Sequence, residues 1–130
     1  MSETRFEIKS WEEKPYFEGK DKSKLTRAVI KKTYTGDIDG EGTLEYLMAY
    51  NPDGSAHFVG IERIEGKVGT RSGSFVLSHE GTFHAGVVKS DFKVVAGFAA
   101  AGLHGLAGSG SFTTGHSMTV PIAFNYRFEN

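Results

Sequence analysis

Apolar and polar residues alternate along much of the chain, most clearly near its C-terminal end. From residue 118 to residue 128 every second side chain is large and apolar, and the side chains between them are mostly polar or small. Successive side chains of a β-strand point to opposite faces of a sheet, so a period of two predicts a strand with one buried face. That face consists of Met118, Val120, Ile122, Phe124, Tyr126 and Phe128.

A hairpin is predicted in the middle of the chain. Residues 45–50 and 56–64 are strand-like, and the sequence Asn51-Pro52-Asp53-Gly54 lies between them. An Asp-Gly pair at this place favours a tight turn, because glycine adopts a positive φ without steric cost. Alternation places Leu44, Tyr46, Met48 and Tyr50 on one face of the first strand, and Phe58, Glu62 and Ile64 on one face of the second.

Other runs rich in Val, Ile, Phe, Tyr and Thr predict further strands. Glycine supplies 17 residues and proline only 3, and the glycines fall between these runs, as turn and bulge residues do in antiparallel sheets. Because glycines interrupt every helix-like pattern, at most a short helical turn is expected. The polar residues 14–24 are interpreted as a solvated loop around one short strand. The additional strands are predicted at residues 6–13, 25–35, 72–79, 82–88, 92–95 and 103–112.

Eight or nine short strands in 130 residues indicate one all-β domain over residues 1–130. We predict an antiparallel eight-stranded β-barrel of the calycin-like kind, whose interior is filled by side chains or holds one small ligand. Phe75, Leu77, His79 and Phe83 form another inward-facing row, provided that no bulge occurs at Gly81.

Composition argues against several classes of function. The chain has no cysteine, which removes disulfides, zinc thiolate sites, iron–sulfur clusters and thiol nucleophiles. Its 15 basic and 16 acidic residues leave a net charge of −1, so no bulk field favours nucleic acid or an anionic membrane. Since neither a signal-peptide pattern nor an apolar run of membrane-spanning length is visible, we expect a cytoplasmic protein without nucleic-acid or membrane partners.

Four glycine-punctuated runs together resemble an uncharacterised bacterial family, DUF3224, and the resemblance covers nearly the whole chain. The runs are residues 35–42, 58–66, 73–83 and 108–112. That family is similar in fold to the allene oxide cyclase barrel, whose plant members cyclise an unstable fatty-acid epoxide in an apolar interior. The resemblance implies the barrel and not the reaction. The plant enzymes place acidic, asparagine and cysteine side chains in their cavity, whereas this chain lacks cysteine and has Lys31-Lys32 where an asparagine is expected. No catalytic residue is therefore assigned.

Glu62 is the leading candidate for chemistry, because it shares a face with Phe58. Desolvation in an apolar cavity would raise the pKa of Glu62 and suit it to a general acid–base or ligand role. The alternative is a structural carboxylate paired with a nearby Arg, His or Tyr, or one turned outward by a bulge at Gly60. His79 either pairs with Glu62 inside the barrel or is a hydrogen-bonded core histidine.

No metal or cofactor site is predicted. His79 and His84 are five residues apart in a strand region, which places them on opposite faces. Residues 37–42 begin like a calcium loop, but Met48 stands where a bidentate glutamate is required.

Three hypotheses of function remain. The first is a barrel that binds a small apolar molecule, and the second is a cyclase or isomerase that acts by confining its substrate. The third is a non-catalytic homo-oligomeric module, because Val29, Val59, Ile61 and Val76 lie on the predicted outer wall. The aromatic inner residues either fill the core or leave room for the ligand. The predicted ligand-binding residues are Tyr46, Met48, Tyr50, Phe58, Glu62, Phe75 and His79.

Overall fold

A computed structural model describes residues 4–115 and 119–129. Every regular element in this part of the chain is a β-strand, so these residues contain no helix that is long and apolar enough to cross a membrane. The strands are β1 (Thr4–Glu18), β2 (Lys24–Thr35), β3 (Ile38–Tyr50), β4 (Ala56–Val68), β5 (Arg71–His84), β6 (Val87–Val94), β7 (Ala100–Ala101), β8 (Leu106–Thr114) and β9 (Thr119–Phe128).

The strands form one antiparallel sheet that closes on itself. The hydrogen-bonded order is β4-β3-β2-β1-β9-β8-β6-β5-β7, and an additional pairing of β4 with β5 closes a ring of eight strands. The two-residue β7 lies outside this ring, on the edge of β5. The predicted all-β fold with an eight-stranded antiparallel barrel is confirmed.

The prediction of two strands at residues 72–79 and 82–88 was wrong. β5 runs without a break through Gly81, which pairs with Phe58 of β4, and the chain turns at Ala85 and Gly86 instead. A Cβ atom at position 81 would lie 2.5 Å from Cζ of Phe58. Gly81 therefore makes room for a ring inside the barrel and does not interrupt the strand.

Other boundaries also differ from the prediction: β6 runs from Val87 to Val94, where a strand at residues 92–95 was expected, and β3 begins at Ile38 and not at residue 45. β1 continues through residues 14–18 and pairs with β2 as far as Glu18 and Lys24, where a loop was expected. Residues 14–18 are all exposed, and they include the aromatic side chains of Tyr16 and Phe17. At the other end of the barrel, β8 begins at Leu106, and Leu103 is a fully buried turn residue that plugs the interior.

A β-bulge redirects the side chains of β1. The register with β2 shifts between Ile8 and Ser10, so the residues that face inward change from even to odd positions. Phe6 is buried before the bulge, whereas Trp11 and Glu13 turn toward the interior after it. The bulge thereby places the side chains of Trp11 and Glu13, each of which ends in a polar group, at one end of the barrel.

The interior is divided into two clusters of buried side chains. The alternation predicted for β3 and β4 is confirmed, and the β3–β4 register continues through Gly60 without a bulge, so Glu62 faces inward. In β9, Val120 is buried and the following alternate residues pack against the core, while Met118 lies outside the described residues. The closed-end cluster contains Phe6, Tyr34, Ile38, Ile64, Val68, Phe75, Leu77, Phe92, Leu103, Leu106, Phe112 and Val120, and the open-end cluster contains Ala28, Ile30, Leu44, Tyr46, Met48 and Phe58.

Candidate functional site

The open-end half of the barrel contains a cavity of about 260 Å³. Its wall is mainly apolar and aromatic, which is typical of pockets for small molecules. Its volume lies just below their usual range of about 300–1,000 Å³. Four of the seven predicted ligand-binding residues line it: Tyr46, Met48, Tyr50 and Phe58. The other lining residues are Phe6, Ile8, Trp11, Ile30, Lys32, Phe83, Val88, Phe112, Thr114, Gly115 and Val120.

Strand ends at one end of the barrel form the mouth of this cavity. Trp11 is 44% exposed there, beside the half-buried Tyr50. Glu13 holds both rings: its carboxylate accepts hydrogen bonds from the Tyr50 hydroxyl at 2.6 Å, from the Thr26 hydroxyl at 2.7 Å and from Trp11 Nε1 at 3.0 Å. Partial burial raises the pKa of Glu13, but these hydrogen bonds outweigh it and lower the pKa. The Glu13 side chain therefore stays a charged carboxylate, and its hydrogen bonds hold the Trp11 and Tyr50 rings in place at the mouth.

A polar cluster of Lys32, Tyr34, Glu62 and His79 is buried inside the barrel. Glu62 is its centre: His79 Nε2 lies 2.7 Å from Oε1, the Tyr34 hydroxyl donates to Oε2 at 2.8 Å, and Lys32 Nζ lies 3.5 Å from Oε1. The hypothesis that Glu62 and His79 pair inside the barrel agrees with this geometry. Gly42 on β3 makes the cluster possible, because a Cβ atom there would collide with Glu62 Oε2.

The pKa of Glu62 is shifted in the direction opposite to the expectation. Burial alone would raise it, but the charge of Lys32 and the hydrogen bonds from His79 and Tyr34 lower the pKa to about 2. Burial lowers the pKa of His79 despite the nearby carboxylate, and burial and the same carboxylate raise the pKa of Tyr34. At neutral pH Glu62 is therefore a carboxylate, with a neutral His79 donating to it through Nε2.

Lys32 is the site residue that the sequence analysis missed. It alternates with Ala28, Ile30 and Tyr34 on the inward face of β2, and this lysine in an apolar row was the available signal. Its Nζ lies 3.9 Å from the centroid of the Phe6 ring. Burial lowers the pKa of Lys32, and the charge of Glu62 opposes this shift in part.

The other three predicted ligand-binding residues do not line the cavity. Glu62 and His79 belong to the buried polar cluster, and Phe75 is fully buried in the closed-end cluster. Within the described ranges, no group of three or more His, Cys, Asp or Glu side chains is arranged to hold a metal ion.

The outer wall carries an exposed apolar patch formed by Leu47, Val59 and Ile61, which are 51%, 42% and 55% exposed. An ion pair between Arg27 and Glu45 lies on the same outer surface. Homo-oligomer formation stays a prediction, and light scattering that finds a monomer at micromolar concentration would argue against it.

The low pKa of Glu62 predicts a specific pH dependence. Its folded-state pKa of about 2 is below its ordinary value of 4.5, so the stabilisation is complete above pH 4.5 and is lost as the pH falls toward 2. This difference corresponds to about 3 kcal/mol. We expect the stability gap between the wild type and Glu62→Gln, measured by urea denaturation, to shrink over this range. The exposed Glu65→Gln is the control, and a gap that stays constant down to pH 2 would contradict the shift.

Comparisons with known proteins agree with this architecture. A family model described as "Protein of unknown function (DUF3224)" matches residues 2–126, and no curated protein matches the chain. A crystal structure of a protein with unknown function from the DUF3224 family of Shewanella oneidensis MR-1 is 28% identical over 100% of this chain and 99% of that chain, with a TM-score of 0.79. Similarity to allene oxide cyclase stays a prediction. Because the family model spans nearly all of the sequence, the chain belongs to the DUF3224 family.

Proposed function

We propose that this protein binds a small apolar molecule in the open-end cavity. The observation that carries the proposal is a preformed cavity of about 260 Å³ with a mainly apolar and aromatic wall inside the barrel. Protein interiors are normally filled to crystal-like density, and an unfilled apolar space costs stability. A ligand that fills the space recovers that cost, and the partly exposed mouth gives it a route inside.

The lining supports an apolar ligand with few polar atoms. Tyr46 packs against Phe58 with ring centroids 4.6 Å apart, and both rings face the cavity. The Tyr50 hydroxyl is already bonded to Glu13, which leaves its ring as the surface that contacts a ligand. Such a wall stabilises a ligand mainly by burying its apolar area, at about 25 cal/mol per Å².

The arrangement of the polar cluster does not favour catalysis. A general base works best with a pKa near the working pH, whereas the pKa of Glu62 is held at about 2. His79 and Tyr34 occupy its two carboxylate oxygens, and Glu62 is not part of the cavity wall. These contacts fit a structural role for Glu62, so ligand binding is the function that we propose.

A cavity-filling substitution tests the proposal. Val88 lines the cavity and is half-buried, so Val88→Trp is expected to fill the space and exclude the ligand. The adjacent Val87, 38% exposed, provides the matched control Val87→Trp. Tyr46 is less suitable for enlargement, because its ring packs directly against Gly60. A Cβ atom built on that glycine would lie only 2.5 Å from the Tyr46 ring.

The measurement is mass spectrometry of small molecules released by denaturing protein purified gently from its native cells. The proposal predicts a compound released by the wild type and by Val87→Trp but not by Val88→Trp. Equal amounts from all three proteins would place the compound elsewhere and contradict binding in the cavity. Absence of a compound from the wild type, combined with failure of small apolar probes to bind, would also overturn it.

A further inference from the structure

We propose that Lys32 anchors the ligand by donating a hydrogen bond to an uncharged acceptor oxygen, such as that of a carbonyl group. Lys32 then favours small apolar ketones, aldehydes, esters or amides over carboxylates of the same shape, and contributes nothing to the binding of hydrocarbons. This inference rests on the proposed function, because it names the ligand class for the same cavity.

The position of the ammonium group is the first argument. Lys32 lines the cavity, and its Nζ lies 3.9 Å from the ring centroid of Phe6 and 5.7 Å from that of Phe112, two rings that also line the cavity. The side chain is 2% exposed. The Nζ atom itself has less than 1 Å² of accessible surface, so it lies within the cavity wall, and a ligand oxygen reaches it when the flexible Lys32 side chain turns toward the cavity.

The unmet hydrogen-bonding capacity of Lys32 is the second argument. An ammonium group has three donors, yet Nζ has no hydrogen-bond partner within residues 4–115 and 119–129. Its distance of 3.5 Å to Glu62 makes an ion pair but exceeds the usual hydrogen-bond length. The contact with the Phe6 ring stabilises the charge without accepting a hydrogen bond in the ordinary sense. An acceptor oxygen supplied by a ligand would satisfy a buried donor that otherwise costs stability.

The charge balance of the site selects among acceptors. Glu62 already neutralises Lys32, and no other cation contributes to the polar cluster, because burial keeps the pKa of His79 low. A ligand carboxylate would add a second negative charge beside Glu62 in a medium of low dielectric constant, where an uncompensated charge is costly. A carbonyl oxygen accepts the hydrogen bond without adding charge.

Three probes of the same shape separate these possibilities. Butylbenzene, benzylacetone and hydrocinnamate share a phenylethyl group, which ends in an ethyl, an acetyl or a carboxylate group respectively. Binding is measured by NMR titration of the isotope-labelled protein, with the amides of Tyr46 and Phe58 as reporters. The proteins are the wild type, Lys32→Met and Lys31→Met, because Lys31 is the adjacent, outward-facing lysine.

Lys32→Met is expected to weaken benzylacetone binding by about tenfold or more, the effect of one hydrogen bond to a charged donor, and to leave butylbenzene binding nearly unchanged. Lys31→Met is expected to alter neither, and the wild type is expected to bind benzylacetone more tightly than hydrocinnamate. Equal losses for benzylacetone and butylbenzene in Lys32→Met would overturn the anchoring role. Tighter binding of hydrocinnamate would overturn the selection of an uncharged acceptor.

A second variant covers the case in which Lys32→Met fails to fold. The double substitution Lys32→Met with Glu62→Gln leaves no uncompensated charge in the polar cluster. It is expected to weaken benzylacetone binding to the same extent as Lys32→Met and to leave butylbenzene binding nearly unchanged. The probes also separate the two proposals. Failure of all three probes to bind the wild type, together with the absence of a released compound, overturns the cavity and the anchor together. Butylbenzene binding with no selective effect of Lys32 overturns the anchor alone.

Discussion

Glu62→Gln is expected to lower the free energy of unfolding at neutral pH by about 3 to 5 kcal/mol, the cost of removing one partner of a buried ion pair. Glutamine has nearly the same shape, so the effect comes from charge and hydrogen bonding. The substitution leaves Lys32 buried without its counter-ion. It also leaves one side-chain oxygen to accept from both Tyr34 and His79, which now donate to separate oxygens.

Urea denaturation of matched variants measures this loss. The exposed Glu65 on the same strand provides the control Glu65→Gln, which is expected to change the stability by less than about 1 kcal/mol. The double variant Lys32→Met with Glu62→Gln removes both charges and keeps an acceptor oxygen at position 62, and it is expected to recover a large part of the loss. Equal losses in the double variant and in Glu62→Gln would show that the ion pair is not the cause.

Phe75→Ala is expected to cost about 3 to 5 kcal/mol of stability without weakening the binding of a probe in the cavity. Phe75 is fully buried in the closed-end cluster and does not line the cavity, although its position on an inward face made it a predicted ligand contact. Its truncation leaves a new void in the closed-end cluster. The ligand-facing wall, which includes Phe58, stays intact.

The same urea denaturation measures the stability, and an NMR titration with butylbenzene, at a temperature where the variant is folded, measures the binding. Val76→Ala is the neighbouring control, and its half-buried outward position predicts a cost below about 1 kcal/mol. Loss of butylbenzene binding in folded Phe75→Ala, with its stability retained, would make Phe75 a ligand contact and reverse our assignment.

The buried polar cluster and the cavity are structurally coupled. Lys32 belongs to both, and the Phe6 and Phe112 rings beside its ammonium group also line the cavity. Hydrogen-bonded polar groups in a core have stricter geometric requirements than apolar contacts, so they hold neighbouring side chains in one arrangement. Lys32 therefore joins the buried polar cluster to the wall of the cavity.

Local alternation was sufficient to predict which side chains face inward in most strands. Leu44, Tyr46 and Met48 on β3, and Phe58 and Glu62 on β4, are buried as the period of two indicated. Neighbouring positions on a strand cannot point to the same face unless a bulge intervenes, so these predictions required no knowledge of the partner strands.

Gly81 caused the error of dividing β5 into two strands. In sequence, Gly81 has the same appearance as a turn glycine, but in the barrel it faces the Phe58 ring across the β4–β5 pair. A glycine that makes room for a neighbour differs from a turn glycine only in what lies opposite it. That partner is 23 positions away in the chain and is set by strand pairing.

The sequence by itself determined the all-β class, the inward rows and the aromatic character of the interior, because these follow from local periodicity and side-chain type. Only the tertiary structure decided that Lys32 meets Glu62, that Phe75 lies in the closed-end cluster, and that the bulge in β1 turns Trp11 toward the cavity. It also reversed the expected pKa shift of Glu62, since burial raises that pKa and only the partners brought by β2 and β5 lower it. The reason is that charge pairing and cavity shape depend on contacts between distant strands, which alternation along one strand does not encode.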